Sequence, residues 1–184
     1  MVLDNLNQLA DQSIAGHAPD RETCLKILTD PGIELLELVN AAYRVRKIFH
    51  GNVVGIHILN NAENGRCPED CHYCAQSSSS SAKIAEYPIK SDAEILAEAR
   101  RVHENGAFRY CMVFSGRKPS AKRIQKLCEI VRMIKREVPV EVCVSPGILD
   151  EKSANQLKKA GLDRLNHNLN TSEQVYPSIC STHA

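Results

Sequence analysis

Residues 91–145 read SDAEILAEARRVHENGAFRYCMVFSGRKPSAKRIQKLCEIVRMIKREVPVEVCVS, and the two periodicities in this stretch decide the fold. Ser91 and Glu94 have the spacing of a capping box. Ile95, Leu96, Ala99 and Val102 then recur at helical intervals until Asn105-Gly106 stops the run. Phe108 to Phe114 predicts a strand. A second helix is expected from Ser120, with Ile124, Leu127, Cys128, Val131 and Ile134 on one face before Glu137, and Pro139 just beyond. Val140 to Ser145 predicts the next strand.

Working outward, Val53 to Leu59 is short, β-branched and followed by the Asn/Gly-rich stretch 60–65, which predicts a strand entering a loop. On the other side Asp150 can cap a third helix through Leu157 to Ala160, closed by Gly161, and Leu162 to Leu169 predicts a fourth strand. Further upstream the sequence from Asp20 to His50 reads as helical, starting at Asp30-Pro31, with Leu35, Leu38, Val39 and Ala42 on one face. Arg44, Arg46 and Lys47 are expected to be a solvated helix end that complements the dipole. The serine run 77–81 reads as a flexible piece of the long loop.

Strands alternating with helices imply an α/β fold with a parallel sheet, right-handed crossovers and ligand sites at the C-terminal ends of the strands. A closed eight-stranded barrel takes roughly 200 residues or more. The expectation is therefore a partial (βα) TIM-type barrel of about four units over residues 51–184, preceded by a helical extension over residues 1–50.

With 23 Lys+Arg against 22 Asp+Glu the net charge is +1, which argues against a nucleic-acid or membrane-surface binder. Hydrophobic residues at 43% support a packed core. No apolar run approaches the ~18 residues that span a bilayer, and the first residues lack the pattern of a secretion signal, so a cytoplasmic location is expected. In a reducing compartment the eight cysteines point to metal or catalytic chemistry, not to disulfides.

Cys67, Cys71 and Cys74 stand in the order C-x3-C-x2-C. Three thiolates in one loop can hold three irons of a 4Fe-4S cube and leave the fourth open for a chelating ligand. The competing reading is a zinc knuckle that adds His72 or a distant fourth ligand. Strand parity places Arg109, Cys111, Val113 and Ser115 on one face, opposite Tyr110, Met112 and Phe114. It likewise places Glu141, Cys143 and Ser145 together, and Asn166, Asn168 and Asn170 together opposite Leu165, His167 and Leu169. The polar faces are expected to point into the barrel. Cys111 and Cys143 then lie on neighbouring strands ~4.8 Å apart, either as buried structural cysteines or as ligands of one small cluster. Cys128 fits the apolar helix stripe, Cys24 and Cys180 have no matching partner, and His167 reads as structural.

The C-x3-C-x2-C loop after the first strand, with Tyr73 just before its last cysteine, resembles the radical S-adenosylmethionine superfamily. Cys67-Pro-Glu-Asp-Cys-His-Tyr-Cys-Ala-Gln-Ser77 resembles the biotin synthase family in particular. So do Phe108-Arg-Tyr-Cys-Met112, Val140-Glu-Val-Cys143 and Ala160-Gly-Leu-Asp-Arg-Leu-Asn-His-Asn-Leu-Asn-Thr-Ser172, in that order.

The resemblance implies a 4Fe-4S cluster on Cys67, Cys71 and Cys74 that binds and reductively cleaves S-adenosylmethionine. It also implies a 2Fe-2S cluster on Cys111 and Cys143 that supplies sulfur to dethiobiotin. Tyr73, Asn168 and Asn170 match positions near the adenosine and substrate, and Asn166 and Asn168 suit the polar ureido group. Many family members carry Asp where Asn170 stands. A one-electron donor such as flavodoxin or ferredoxin and, at full length, a homodimer are implied as well. The family's second cluster also uses a third cysteine and an arginine from later strands, which this chain does not reach, so it looks truncated and is not expected to make biotin alone. The alternatives are another radical S-adenosylmethionine enzyme, such as a mutase or lyase, and a non-catalytic zinc or iron-sulfur protein.

Overall fold

The computed structural model describes residues 2–65 and 67–183. They form two compact units, Met1–Val54 and Gly55–Ala184.

The first unit is helical, with α1 (Val2–Ile14), α2 (Arg21–Thr29) and α3 (Leu35–His50). Its small core joins Leu6 and Ala10 of α1 to Ala41, Leu38 and Val45 of α3. The face expected from the sequence is thus rotated: Leu38 is on it, but Leu35 and Val39 are exposed, as is Ala42. Asp30-Pro31 does not start α3. The Asp30 N–H donates to Lys26 and closes α2, while its carboxylate accepts from the Gly32 N–H at 2.8 Å in a local turn. The basic cluster is engaged rather than merely solvated. Arg44 pairs with Asp11, and Arg46 donates to the carbonyls of Gly51 and Val53 at 2.7 and 2.6 Å.

The second unit carries β1 (His57–Asn61), α4 (Asp92–Glu104), β2 (Arg109–Val113), α5 (Ala121–Glu137), β3 (Glu141–Ser145), α6 (Glu151–Lys159), β4 (Arg164–Leu165) and the short α7 (Tyr176–Ile179). The sheet is a parallel four-stranded one in the order β1-β2-β3-β4. The capping box at Ser91 forms as expected, and Ser120 and Asp150 cap α5 and α6. Helix stripes and strand faces meet in one core. Tyr110, Met112, Val142 and Val144 pack against Ile95, Ala99, Ile124, Leu127, Cys128, Val131, Ile134 and Leu157. Each of the larger aliphatic side chains contributes on the order of 1.5–3 kcal/mol by leaving water.

One polar group in that core is the Tyr110 hydroxyl, which accepts from Asn60 at 2.7 Å and donates to Glu98 at 3.1 Å. Lys90 closes the network, donating to both Asn60 and Glu98. Burial and the Glu98 carboxylate hold the phenol above its ordinary range, so it stays protonated as a donor.

The outer strands depart from expectation. β1 begins at His57 instead of Val53 because Gly55 lies against the Phe108 ring and pairing starts only where Phe108 donates to the Ile56 carbonyl. Val53 and Val54 are left exposed. The fourth strand does not run from Leu162 to Leu169. Its ladder ends with the Asn166 N–H on Val144, and the chain then turns, with Thr171 donating to Leu169 and Asn170 at φ 58°. Among the described residues only β3 flanks it in the sheet, so no described strand on the far side holds those residues extended.

Candidate metal centre

Parallel register stacks the inward-facing side chains in layers. His57, Arg109 and Glu141 share the lowest level, Leu59, Cys111 and Cys143 the next, and Asn61, Val113 and Ser145 the third. Arg109 fastens the lowest level, with two nitrogens on Glu141 at 2.9 and 2.6 Å and a third facing His57. Above the third level the chain leaves β1 into the loop that carries the C-x3-C-x2-C run.

That loop is built by backbone contacts. Asn64 and Tyr87 form an antiparallel bridge at its root, and Glu63 pairs with Arg123 of α5 through both oxygens at 2.9 and 3.0 Å. Cys67 N–H donates to Gln76, Cys74 N–H to Cys71, and Ser77 N–H to Cys74. The serine run is part of this packing and not a loose tether. Ser77 is buried, and both the N–H and hydroxyl of Ser78 donate to the Glu69 carbonyl.

Cys67, Cys71 and Cys74 line one cavity of about 190 Å3, together with Tyr73, Asn168 and Asn170. Its opposite wall comes from the loops after β2 and β3, where Gly116 donates its N–H to the Cys67 sulfur at 3.1 Å. Gly147 has φ 91°, and a Cβ there would collide with the Arg117 carbonyl, so the two loops meet only because that residue is glycine. The donor set fits an iron-sulfur cube: three thiols from one loop, a donor already on one sulfur, and open volume beside them.

Asn170 donates to the Tyr73 hydroxyl at 2.5 Å and to that of Tyr176 at 3.4 Å. An asparagine tolerates the left-handed backbone this requires. Partial burial and the neighbouring Cys71 sulfur push the Tyr73 phenol above its ordinary range.

Other expectations are redistributed. Asn166 does not line the cavity, and its amide approaches Ser145 Oγ at 3.5 Å. His167, expected on the opposite face as a structural residue, is exposed and lines the cavity, since strand parity no longer governs the chain beyond Leu165. Cys111 and Cys143 stand in register and in contact on the second level, where they are buried and outside the cavity. The Cys111 thiol is held protonated by its hydrogen bond to Cys143 and by burial, while that bond and the nearby Arg109 and Arg164 pull Cys143 down. Cys128 is in the core and Cys24 is exposed.

Sequence reasoning missed Cys180. It was expected to have no partner, yet it is buried with its sulfur 3.7 Å from that of Cys71. Burial and this second sulfur push the Cys71 thiol up to about 11. Asp70 holds the segment in place by accepting the N–H groups of Ser181 and Thr182 at 2.9 and 3.1 Å. The Ser181 hydroxyl, which also donates to it, and then these N–H bonds keep its carboxyl well below the usual range.

Residues 64–184 match the model of the Radical SAM superfamily. The chain is 56% identical to biotin synthase of Magnetococcus marinus over 96% of its own length and 55% of that protein's. It is 45% identical to biotin synthase of Lysinibacillus sphaericus over 97% and 54%. It thus spans about half the length of the curated relatives it matches. Among solved structures it resembles methylornithine synthase with a TM-score of 0.78 at 19% identity, covering 96% of this chain and 52% of that one. An FeFe-hydrogenase maturase from Carboxydothermus hydrogenoformans has a TM-score of 0.67 at 19% identity, covering 97% and 43%. The fold is therefore that of half a parallel barrel, and among the described residues no helix is long and apolar enough to cross a membrane. With its cysteine loop seated where the matched residues begin, the chain belongs to the radical SAM superfamily.

Proposed function

We propose that this chain forms the radical-generating half of a biotin synthase, which inserts sulfur into dethiobiotin to form biotin. The observation that carries the reading is the convergence of Cys67, Cys71, Cys74, Tyr73, Asn168 and Asn170 on one cavity at the C-terminal end of a parallel sheet. Bound to the three thiolates, a 4Fe-4S cluster supplies the electron that cleaves a C–S bond of S-adenosylmethionine.

The protein's own part is positioning and exclusion of water. The Gly116 N–H stabilises negative charge on the Cys67 sulfur. Asn170 offers its amide toward a ribose hydroxyl without adding charge, and Tyr73, kept protonated, closes the adenosine side. Asn168 faces the same cavity, and its amide both donates and accepts, as a ureido group requires. Asn166 keeps this role in the reading only through a side-chain turn toward substrate.

Cys111 and Cys143, paired one level below the cavity, suit two ligands of a 2Fe-2S sulfur donor. The presence of cysteine at both register positions supports sulfur insertion over a mutase or lyase reading. The reading includes a one-electron donor of the flavodoxin or ferredoxin class and a homodimer of the full-length protein. A polypeptide of these 184 residues alone carries two ligands of the second cluster and leaves β4 paired on one side only. It is expected to make no biotin.

Anaerobic reconstitution with iron and sulfide tests the reading. An oxygen-sensitive cluster whose electron paramagnetic resonance signal changes on adding S-adenosylmethionine, and which disappears in Cys67→Ala, Cys71→Ala or Cys74→Ala, is the expected result. Iron uptake without sulfide, or a signal indifferent to S-adenosylmethionine, overturns it.

A further inference from the structure

We propose that Cys71, Cys180 and His183 form a binding site for a zinc-type divalent cation. Because the site shares Cys71 with the three-cysteine loop, filling it prevents that loop from holding a cluster. The inference stands on geometry alone and does not depend on the proposed function.

The ligand atoms of the three residues all lie within 4.8 Å of one another. The Cys71 and Cys180 sulfurs are 3.7 Å apart. Two sulfurs bound at ~2.3 Å to one tetrahedral ion are separated by about 3.8 Å, so this pair already has the spacing of ligands to a single metal. His183 completes the triangle, with Nδ1 and Nε2 at 3.2 and 3.8 Å from the Cys180 sulfur.

The imidazole is also prepared. Nδ1 meets Glu69 Oε2 at 2.5 Å, and that carboxylate is buried. A carboxylate on Nδ1–H leaves Nε2 as the free acceptor, the usual arrangement behind a metal-bound histidine. Nε2 now faces the Tyr176 hydroxyl at 3.1 Å, a contact that the metal replaces.

The site is preset by bonds that do not involve its ligands. Asp70 grips Ser181 and Thr182, and the His72 N–H donates to the Ile179 carbonyl at 3.0 Å. His72 itself is exposed and is not a member of the group. Two thiolates and one imidazole suit zinc, which has no preference beyond tetrahedral geometry and would take water in the fourth position. On binding, both thiol protons leave to solvent.

The test uses the whole chain, reduced and metal-free under nitrogen. Cobalt(II) serves as a spectroscopic probe, and zinc affinity is measured by competition with a chromophoric chelator. One equivalent of cobalt with sulfur-to-metal charge transfer and tetrahedral visible bands is expected. Glu69→Gln should weaken zinc binding by ~10- to 100-fold, and Cys180→Ser or His183→Ala by at least as much. Cys67→Ser and Cys74→Ser should leave it unchanged, with circular dichroism showing each variant folded. Prior zinc loading should block iron uptake in the wild-type chain and not in the Cys180→Ser/His183→Ala double variant. Absence of stoichiometric binding, retention of affinity in Cys180→Ser, or equal losses in Cys67→Ser and Cys74→Ser overturns the proposal. The cobalt spectra and zinc affinities do not depend on whether a cluster reconstitutes on Cys67 and Cys74; only the iron-uptake arm does.

Discussion

Cys111 and Cys143 are direct partners in the parallel register of β2 and β3, and both are buried. Two adjacent buried cysteines fit an apolar core as readily as they fit a cluster. Ligation and plain packing are therefore separated by function and not by contacts. Under the proposed function, the matching Cys→Ala changes in a full-length homologue, or in a chimera completing this half, should abolish biotin formation while leaving release of 5'-deoxyadenosine largely intact. Chromatographic measurement of both products decides, and unaltered biotin yield in both variants would return the pair to the core.

Gly147 and Gly106 both have positive φ, 91° and 76°, but a Cβ at Gly147 meets the Arg117 carbonyl while one at Gly106 meets open space. Gly106→Ala should cost only the backbone strain, about 1–3 kcal/mol. Gly147→Ala should cost more, because the loops after β2 and β3 must move apart, and Ile148 then loses its 2.8 Å bond to Arg117. Urea denaturation of the two variants in parallel checks the order.

Leu127 of α5 is fully buried against the sheet. Leu127→Ala should destabilise the second unit by about 2–5 kcal/mol, through lost transfer energy and the cavity left behind. Leu165, on the poorly covered β4, is exposed, and Leu165→Ala should stay within about 0.5 kcal/mol of wild type. Chemical denaturation followed by far-ultraviolet circular dichroism measures both.

Asp163, in the loop before β4, ties β3 to α5 by accepting the Val142 N–H at 2.7 Å and the Lys135 ammonium at 2.8 Å. Burial by itself would raise its pKa, but those two bonds outweigh it and hold the carboxyl below its usual 3.8. A group whose folded pKa is depressed adds stability in full above its unfolded pKa, and that stability is lost as pH falls through the folded value. Asp163→Asn should therefore lower stability by about 1–3 kcal/mol at neutral pH. The gap to wild type should narrow steadily below about pH 4. A gap that is constant from pH 7 to 3 would show that charge is not the cause.

What the sequence by itself determined was everything held by short-range interactions. The Ser91 capping box, the Ser120 and Asp150 caps, the α5 stripe and the alternation that sets Cys111 and Cys143 on one face all depend on residues a few positions apart, so they are legible before folding. The three-cysteine loop was legible for the same reason. Tertiary structure decided where a neighbour strand was available. Beyond Leu165, among the described residues, β3 alone flanks the chain, so the asparagine alternation collapsed, His167 joined the cavity and Asn166 left it. Tertiary structure alone also brought Cys180 to Cys71 across 109 residues, through Asp70 closing on the backbone of Ser181 and Thr182. No periodicity records such a contact, because the donor and acceptor groups that make it come together only once the loop and the last segment have met.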